Sequence, residues 1–233
     1  MSFIVLQDKF GIKPIESVGY LSSLLLIGIP YISINTLRIV LTLFMPATLL
    51  LLFSISILRK LRNNITDISV TMAGIVYISY ILAFLIFTRQ MDNGVYYVWY
   101  ILGAAWMTDT FAYMFGMITG KTIGNHKFSK VISPNKSVEG CVGGIIGCVL
   151  FFLGYTYYLG TIGIELNYYM MAIIGFIASV ISQIGDFSAS TIKRYCKIKD
   201  FGSIMPGHGG VLDRFDSVLF VAPFMYLVFN ILI

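Results

Sequence analysis

The sequence predicts an all-α polytopic membrane protein of about seven transmembrane helices, with a cytoplasmic N-terminus and a polar site at the cytoplasmic face. Three observations predict it. Of 233 residues, 58% are hydrophobic and only 12% charged, against roughly 25% charged in soluble domains, and the mean hydropathy is +0.86. Apolar stretches near the ~20 residues that cross ~30 Å of hydrocarbon recur along the chain. Basic residues cluster between alternate stretches, at Arg59, Lys60 and Arg62, at Lys121, Lys127, Lys130 and Lys136, and from Lys193 to Lys199. That is the pattern of loops retained on the cytoplasmic side.

Taken in order, residues 1 to 16 are mixed and interfacial, with Lys9 and Lys13 on the cytoplasmic side. The opening run MSFIVLQDKF has no basic start and no small-residue cleavage site follows it, so it is expected to be retained. Spans are expected at 17 to 35, 37 to 58, 68 to 88, 95 to 115, 140 to 160, 168 to 188 and 213 to 233. The first two are separated by almost nothing, so 17–58 reads either as two spans or as one re-entrant hairpin, with Pro30 and Pro46 favouring kinks. Gly140 with Gly144 and Gly143 with Gly147 form two overlapping small-xxx-small pairs at the head of the fifth span, a helix-packing signal. Cys141 and Cys148 read as packing residues, since the cysteines match no metal-ligand spacing. The expected organisation is residues 1–66 as N-terminal membrane segments and 67–233 as one catalytic transmembrane domain.

Polar residues inside this apolar chain mark function. Asp109, in WMTDTFAY, lies deep in the fourth span and must face the bundle interior or a water-filled cavity, with Tyr113 on the same face. The following loop, GMITGKTIGNHKFSKVISPNKSVE, joins glycines to Lys121, Lys127, Lys130, Lys136, Ser133 and Ser137, residue types that hold phosphate. It has no Walker-type run, and contact with anionic headgroups would account for Lys127 and Lys130. His126 reads as a solvated surface residue.

At the end of the sixth span, Asp186, Ser190, Lys193 and Lys197 fall on one helical stripe running from carboxylate to hydroxyl to ammonium. Beyond it, Pro206-Gly207 and Gly209-Gly210 impose a tight backbone around His208. Asp213 and Asp216 then open the last span three residues apart. Helix-dipole stabilisation accounts for such a pair by itself, but not for Asp109 and Asp186. Carboxylates beside phosphate-binding cations are how proteins recruit Mg²⁺ to a nucleotide.

The run from Ser190 to Asp216 resembles the signature of the phosphatidate cytidylyltransferases, or CDP-diacylglycerol synthases. Ser190, Lys193, Arg194, Lys199, Asp200, Gly202, Pro206, His208, Gly209, Gly210, Asp213, Arg214 and Asp216 fill its fixed or restricted positions. Earlier blocks of the family are matched by Thr108, Asp109, Ala112 and Tyr113, by Gly120 and Lys121, and by Ile132, Ser133, Pro134, Lys136, Ser137, Glu139 and Gly140. The likeness covers about residues 68 to 233. Phe111 stands where the family usually has Gly, Asn135 where it often has Lys, Val138 where it often has Trp, and Met205 where it has Ile or Leu.

The resemblance implies transfer of cytidylyl from CTP to phosphatidate, giving CDP-diacylglycerol and pyrophosphate. It implies Mg²⁺ or another divalent metal on Asp186 and Asp213, with Asp109 and Asp216 as further candidates for ligation or orientation. Lys193 and Arg194 are expected to hold phosphatidate or the developing pyrophosphate, and Asp216 and His208 are grouped with them as catalytic. Ser133, Lys136, Ser190, Lys121 and Asp109 are expected on the substrate side. Expected partners are CTP, phosphatidate and membrane lipid, with a homodimer left open and nucleic acid excluded, in a bacterial inner membrane. Two alternatives stand beside this reading: a CTP-dependent kinase of a polyprenol or related lipid alcohol, and an ion-coupled transporter using Asp109 and Asp186 at its midplane.

Overall fold

The computed structural model describes residues 10–28, 34–60, 63–122, 126–129, 133–202 and 209–232. They group into two compact units, Met1–Gln90 and Met91–Ile233.

Among the described residues the first unit holds three helices: α1 (Glu16–Gly28), α2 (Ile34–Leu58) and α3 (Ile65–Arg89). Helix α3 begins with a reciprocal capping box. Asn64 accepts from the Asp67 amide at 2.9 Å while Asp67 accepts from the Asn64 amide at 2.9 Å. The same Asp67 accepts from the Lys13 amide, and Thr71 accepts from the Ile15 amide at 2.9 Å, which docks the segment entering α1 onto α3. A π-helical turn, Ile75–Tyr80, interrupts α3, and Pro46 lies inside α2.

The second unit holds α4 (Gly94–Thr122), an antiparallel hairpin of β1 (Lys127–Ser129) and β2 (Ser133–Ser137), then α5 (Val138–Thr161), α6 (Tyr168–Tyr195) and α7 (Leu212–Leu232). Helix α4 packs on α5, α5 on α6 and α6 on α7. The expected small-residue face is the α4–α5 seam. A Cβ on Gly140 would lie 2.7 Å from the Ala112 carbonyl and one on Gly144 2.8 Å from the Thr108 carbonyl, so only glycine lets the two backbones approach this closely. Phe115 and Phe111 lie over Gly143 and Gly147. Phe111, the bulky departure from the family's glycine, is thus accommodated by a glycine on the facing helix.

At one end of the unit an aromatic core sets the bundle. Tyr97 stacks on Phe229 at 4.3 Å, and the buried Tyr100 packs against Phe152 at 4.8 Å with its hydroxyl 2.7 Å from Thr156 Oγ1. The opposite end, where α4 and α6 finish and α5 and α7 begin, is polar.

The protein is an all-α integral membrane protein. Six helices among the described residues are long and apolar enough to cross a bilayer: Val40–Leu58, Ile65–Arg89, Gly94–Lys121, Val138–Thr161, Tyr168–Tyr195 and Leu212–Ile231. The expected first span, 17 to 35, overlaps α1, whose 13 residues end at Gly28, where the described residues also end. Pro30 lies outside the described residues. The polar segment after the fourth span, expected as a loop from residue 116, instead continues as helix to Thr122 and then folds as the β-hairpin. The expected functional division at 66/67 falls within α3, whereas the compact units part at Gln90.

Candidate functional site

The polar end of the second unit contains a cavity of about 430 Å³. Its wall is built from α4 (Thr108, Asp109, Ala112, Tyr113, Gly116 and Met117), from β2 and the start of α5 (Ser133, Lys136, Ser137, Gly140 and Cys141), and from α6 (Gln183 and Asp186). Asp109 and Tyr113 share a face because they are four residues apart on a helix. Ser217 lies within hydrogen-bonding reach of the Asp109 side chain.

Lys136 reaches from β2 across to α6, where its ammonium pairs with Asp186 Oδ2 and sits 4.6 Å from the centre of the Phe187 ring. Phe187 is itself stacked on Phe128 of β1 at 4.6 Å, so the hairpin is held on α6 by a ring-on-ring contact beside the ion pair. Burial holds the Lys136 ammonium below the ordinary lysine range, while the nearby charges of Asp109 and Asp216 pull it upward. A half-buried cation facing carboxylates is suited to exchange them for phosphate oxygens.

A second polar cluster adjoins this one. Lys193 Nζ lies 2.8 Å from Asp213 Oδ1, while Asp213 Oδ2 accepts from the Phe201 amide at 2.8 Å and the Gly210 amide at 3.0 Å. One carboxylate therefore gathers the end of α6, the connecting segment and the start of α7. Asp216 is 7% exposed and accepts from the Ser217 amide at 2.8 Å. It stands three residues after Asp213, on the same side of α7.

Helix α6 ends in a Schellman arrangement: the Lys197 amide donates to the Arg194 carbonyl and the Ile198 amide to the Lys193 carbonyl, both at 3.0 Å. Lys197 adopts φ 52°, the left-handed conformation that closes the motif. The expected stripe of Asp186, Ser190, Lys193 and Lys197 therefore stops at Lys193, because Lys197 lies past the helix end.

Of the site residues expected from sequence, Asp109, Ser133, Lys136 and Asp186 line the cavity. Lys193, Asp213 and Asp216 form the adjoining cluster. Ser190 is on α6 one turn beyond Asp186, and Arg194 is exposed in the last turn of that helix. Lys121 is exposed in the last turn of α4, where a cation complements the helix dipole. His208 lies outside the described residues. Ser137, grouped with phosphate-binding residues, is buried and caps α5 by accepting from the Gly140 amide at 3.1 Å.

Sequence reasoning missed three participants. Gln183 lines the cavity and donates from Nε2 to the Cys141 carbonyl at 3.1 Å. Its position one turn before Asp186, on the same face, was the available signal. Cys141 contributes to the wall beyond packing. His126 is exposed as expected, yet it is clamped by Glu139: its Nδ1 lies 2.6 Å from Oε1 and its amide donates to both carboxylate oxygens at 3.2 Å.

The donor set suits a hard divalent cation only in part by itself. Among the described residues no group of three or more His, Cys, Asp or Glu could hold a metal ion. Asp109 and Asp186 line one cavity, and Mg²⁺ at nucleotide sites is commonly held by one or two carboxylates completed by phosphate oxygens and water. Asp109 and Asp186 therefore fit such an ion when a polyphosphate substrate supplies the remaining ligands, and Asp213, bonded to Lys193 and two backbone amides, fits it only where Lys193 gives way.

Comparison with known proteins agrees with this geometry. The model of the cytidylyltransferase family matches residues 7–232. The phosphatidate cytidylyltransferase of Staphylococcus aureus is 31% identical over 233 residues, covering 98% of this chain and 86% of that protein. Those of Staphylococcus haemolyticus and Staphylococcus epidermidis are 35% and 34% identical over 178 residues, covering 76% of this chain and 65% of each relative, so here the match spans just under two thirds of the relatives' length.

Proposed function

Because this chain belongs to the cytidylyltransferase family, we infer that it transfers the cytidylyl group of CTP to phosphatidate, giving CDP-diacylglycerol and pyrophosphate. The observation that carries the reading is the cavity in which Lys136, Asp109 and Asp186 meet at the polar end of a four-helix membrane unit. Such a place lets a soluble polyanion and a lipid phosphate meet.

In this reaction a phosphatidate phosphate oxygen attacks the α-phosphorus of CTP. A new phosphorus–oxygen bond forms, the bond to the α,β-bridging oxygen breaks, and pyrophosphate leaves with the bonding electron pair. The attacking phosphate is already anionic, so no side chain must remove a proton. What the protein must supply is neutralisation and in-line placement of two polyanions.

Lys136 would meet phosphate in the cavity, whose wall Ser133 shares. Lys193 and Arg194, near the end of α6, would receive phosphatidate or the departing pyrophosphate, with Ser190 one turn away. Asp186 and Asp213 would hold Mg²⁺, with Asp109 and Asp216 beside them. That ion would supply charge neutralisation on the reacting phosphates. For Asp213 this role calls for Lys193 to release Oδ1 and turn to a phosphate, an exchange favoured once a cation and an anion arrive together. Lys121 and His208 complete the proposed substrate contacts. The protein would act in a bacterial inner membrane, with CTP and phosphatidate as substrates and self-association as a homodimer open to test.

The direct test is incubation of purified protein with labelled CTP, phosphatidate and Mg²⁺. The reading requires release of pyrophosphate matched by CDP-diacylglycerol. Release of CDP with a phosphorylated lipid alcohol would replace it with the kinase reading.

A further inference from the structure

Gln183 lines the cavity one turn before Asp186 on α6, and the phosphate chemistry gives it no part. Its side-chain amide is held in one orientation. Nε2 donates to the Cys141 carbonyl of α5 at 3.1 Å and to Ser179 Oγ at 3.4 Å, and that hydroxyl also accepts from Thr108 Oγ1 of α4 at 2.9 Å. A carbonyl only accepts, so the end of the amide that faces Cys141 is the nitrogen. Turning the amide over would set two carbonyl oxygens against each other. Contacts from three helices therefore lock it.

The other end of the amide is Oε1. Among the described residues nothing donates to it, and it is not one of the unpaired side-chain atoms that the fold closes off from solvent. It opens onto the cavity that Gln183 lines. Besides a cation and two carboxylates, the cavity thus offers one neutral oxygen that accepts a hydrogen bond and cannot donate one.

The two substrates limit what this oxygen receives. Ionised phosphate and ester oxygens only accept, so Oε1 turns them away. The donors that remain are the ribose hydroxyls and the 4-amino group of cytosine. A hydroxyl both donates and accepts and is served by an amide in either orientation, so a locked one adds nothing for it. An amino group on an aromatic ring only donates. Resting on the cytidylyl-transfer reading above, we propose that Gln183 is the residue that selects the nucleobase: its Oε1 accepts from the 4-amino group of cytosine and sets CTP above UTP. Lys136, Asp109 and Asp186 meet the same triphosphate in both nucleotides and make no such distinction. Uracil places its 4-oxygen against Oε1, two acceptors with no proton between them. Its N3–H serves only if the ring, and the α-phosphate with it, shifts away from the groups that hold the phosphates.

The test supplies purified full-length protein, phosphatidate and Mg²⁺ with CTP, UTP, dCTP or the triphosphate of 2-pyrimidinone riboside, which lacks the 4-amino group, and measures kcat/KM for each. The unmodified enzyme is expected to favour CTP over UTP by about 50-fold and over the 2-pyrimidinone nucleotide by about tenfold, the scales of an unpaired acceptor and of one lost hydrogen bond. In Gln183→Met both ratios are expected to fall to about threefold or less. The ratio of CTP to dCTP and the Mg²⁺ concentration for half-maximal rate are expected to stay unchanged. Ratios between nucleotides on one preparation do not depend on the fraction folded, and Gln183→Ala removes the same oxygen with a smaller side chain.

A CTP:UTP ratio unchanged in both variants would overturn the proposal and leave the amide a helix tie. A changed dCTP ratio in place of the UTP ratio would overturn it in favour of a ribose contact, and a raised Mg²⁺ requirement alone in favour of a metal ligand. Equal use of CTP and the 2-pyrimidinone nucleotide by the unmodified enzyme would overturn it without any substitution. Absence of CTP turnover by the unmodified enzyme would remove the cytidylyl-transfer reading itself, a failure distinct from these.

Discussion

Lys193 Nζ lies 2.8 Å from Asp213 Oδ1, which ties the last turns of α6 to the first turn of α7. The side chains are only 13% and 8% exposed, so the pair is screened little by solvent. Removing one partner leaves the other uncompensated. Asp213→Asn is expected to destabilise the protein by about 3 kcal/mol, the lower end of the range for breaking a buried pair. It should also abolish turnover. Thermal unfolding of this variant, K193Q and the double variant checks the first point, because the two single changes must be non-additive if the contact is what is lost.

Lys136 brings a cation from the hairpin into the cavity and pairs there with Asp186. Lys136→Met is expected to lower kcat/KM for CTP by about 100-fold or more, the scale of removing one preorganised electrostatic donor. Lys136→Arg should recover only part of this, since a longer side chain ending in a planar fork does not reproduce the compact point charge that pairs with Asp186. Steady-state kinetics with varied CTP decides it. K136M activity within threefold of the unmodified enzyme would remove Lys136 from the mechanism.

Glu139 holds the hairpin to α5 by accepting from the His126 amide and facing its ring. It touches neither the cavity wall nor substrate in this account, so it acts by positioning Ser133 and Lys136. Glu139→Ala is expected to raise KM for CTP about tenfold with a smaller loss of kcat, the size of one charge-assisted hydrogen bond. Amide exchange at 126–129 should speed up in parallel, while Glu139→Gln retains part of the contact.

These contacts mark where sequence reading works and where it stops. The helices were legible because membrane crossing demands long apolar runs, and the α4–α5 seam because glycines at a four-residue spacing have few other uses. Asp109 and Asp186 were legible because ionisable groups in hydrocarbon need a reason, and Lys136 because it stands among glycines and hydroxyls in a basic segment between two spans. The hairpin was not, since SPNKS has little strand propensity and is held by the Phe128–Phe187 stack and the Glu139 clamp, both tertiary contacts. The Schellman end at Lys197 was hidden because a lysine stands where glycine usually signals that turn.

The carboxylates proposed for Mg²⁺ already have protein partners: Lys136 for Asp186, and Lys193 with two backbone amides for Asp213. Chelation by EDTA is therefore expected to abolish turnover while leaving the melting temperature of substrate-free protein unchanged within about 1 °C, since no buried charge is left uncompensated. Mg²⁺ should raise the melting temperature only when CTP is also present. A large loss of stability on chelation alone would show a metal built into the resting fold and contradict this arrangement.

The central claim is that the Lys136–Asp109–Asp186 cavity transfers cytidylyl to a lipid phosphate. The most direct measurement follows α-³²P-labelled CTP with phosphatidate, Mg²⁺ and purified protein, with Asp186→Asn in parallel. The account predicts label in CDP-diacylglycerol with one pyrophosphate released per lipid formed, and loss of both in the variant. Label recovered as free CDP, or undiminished product from Asp186→Asn, would contradict it.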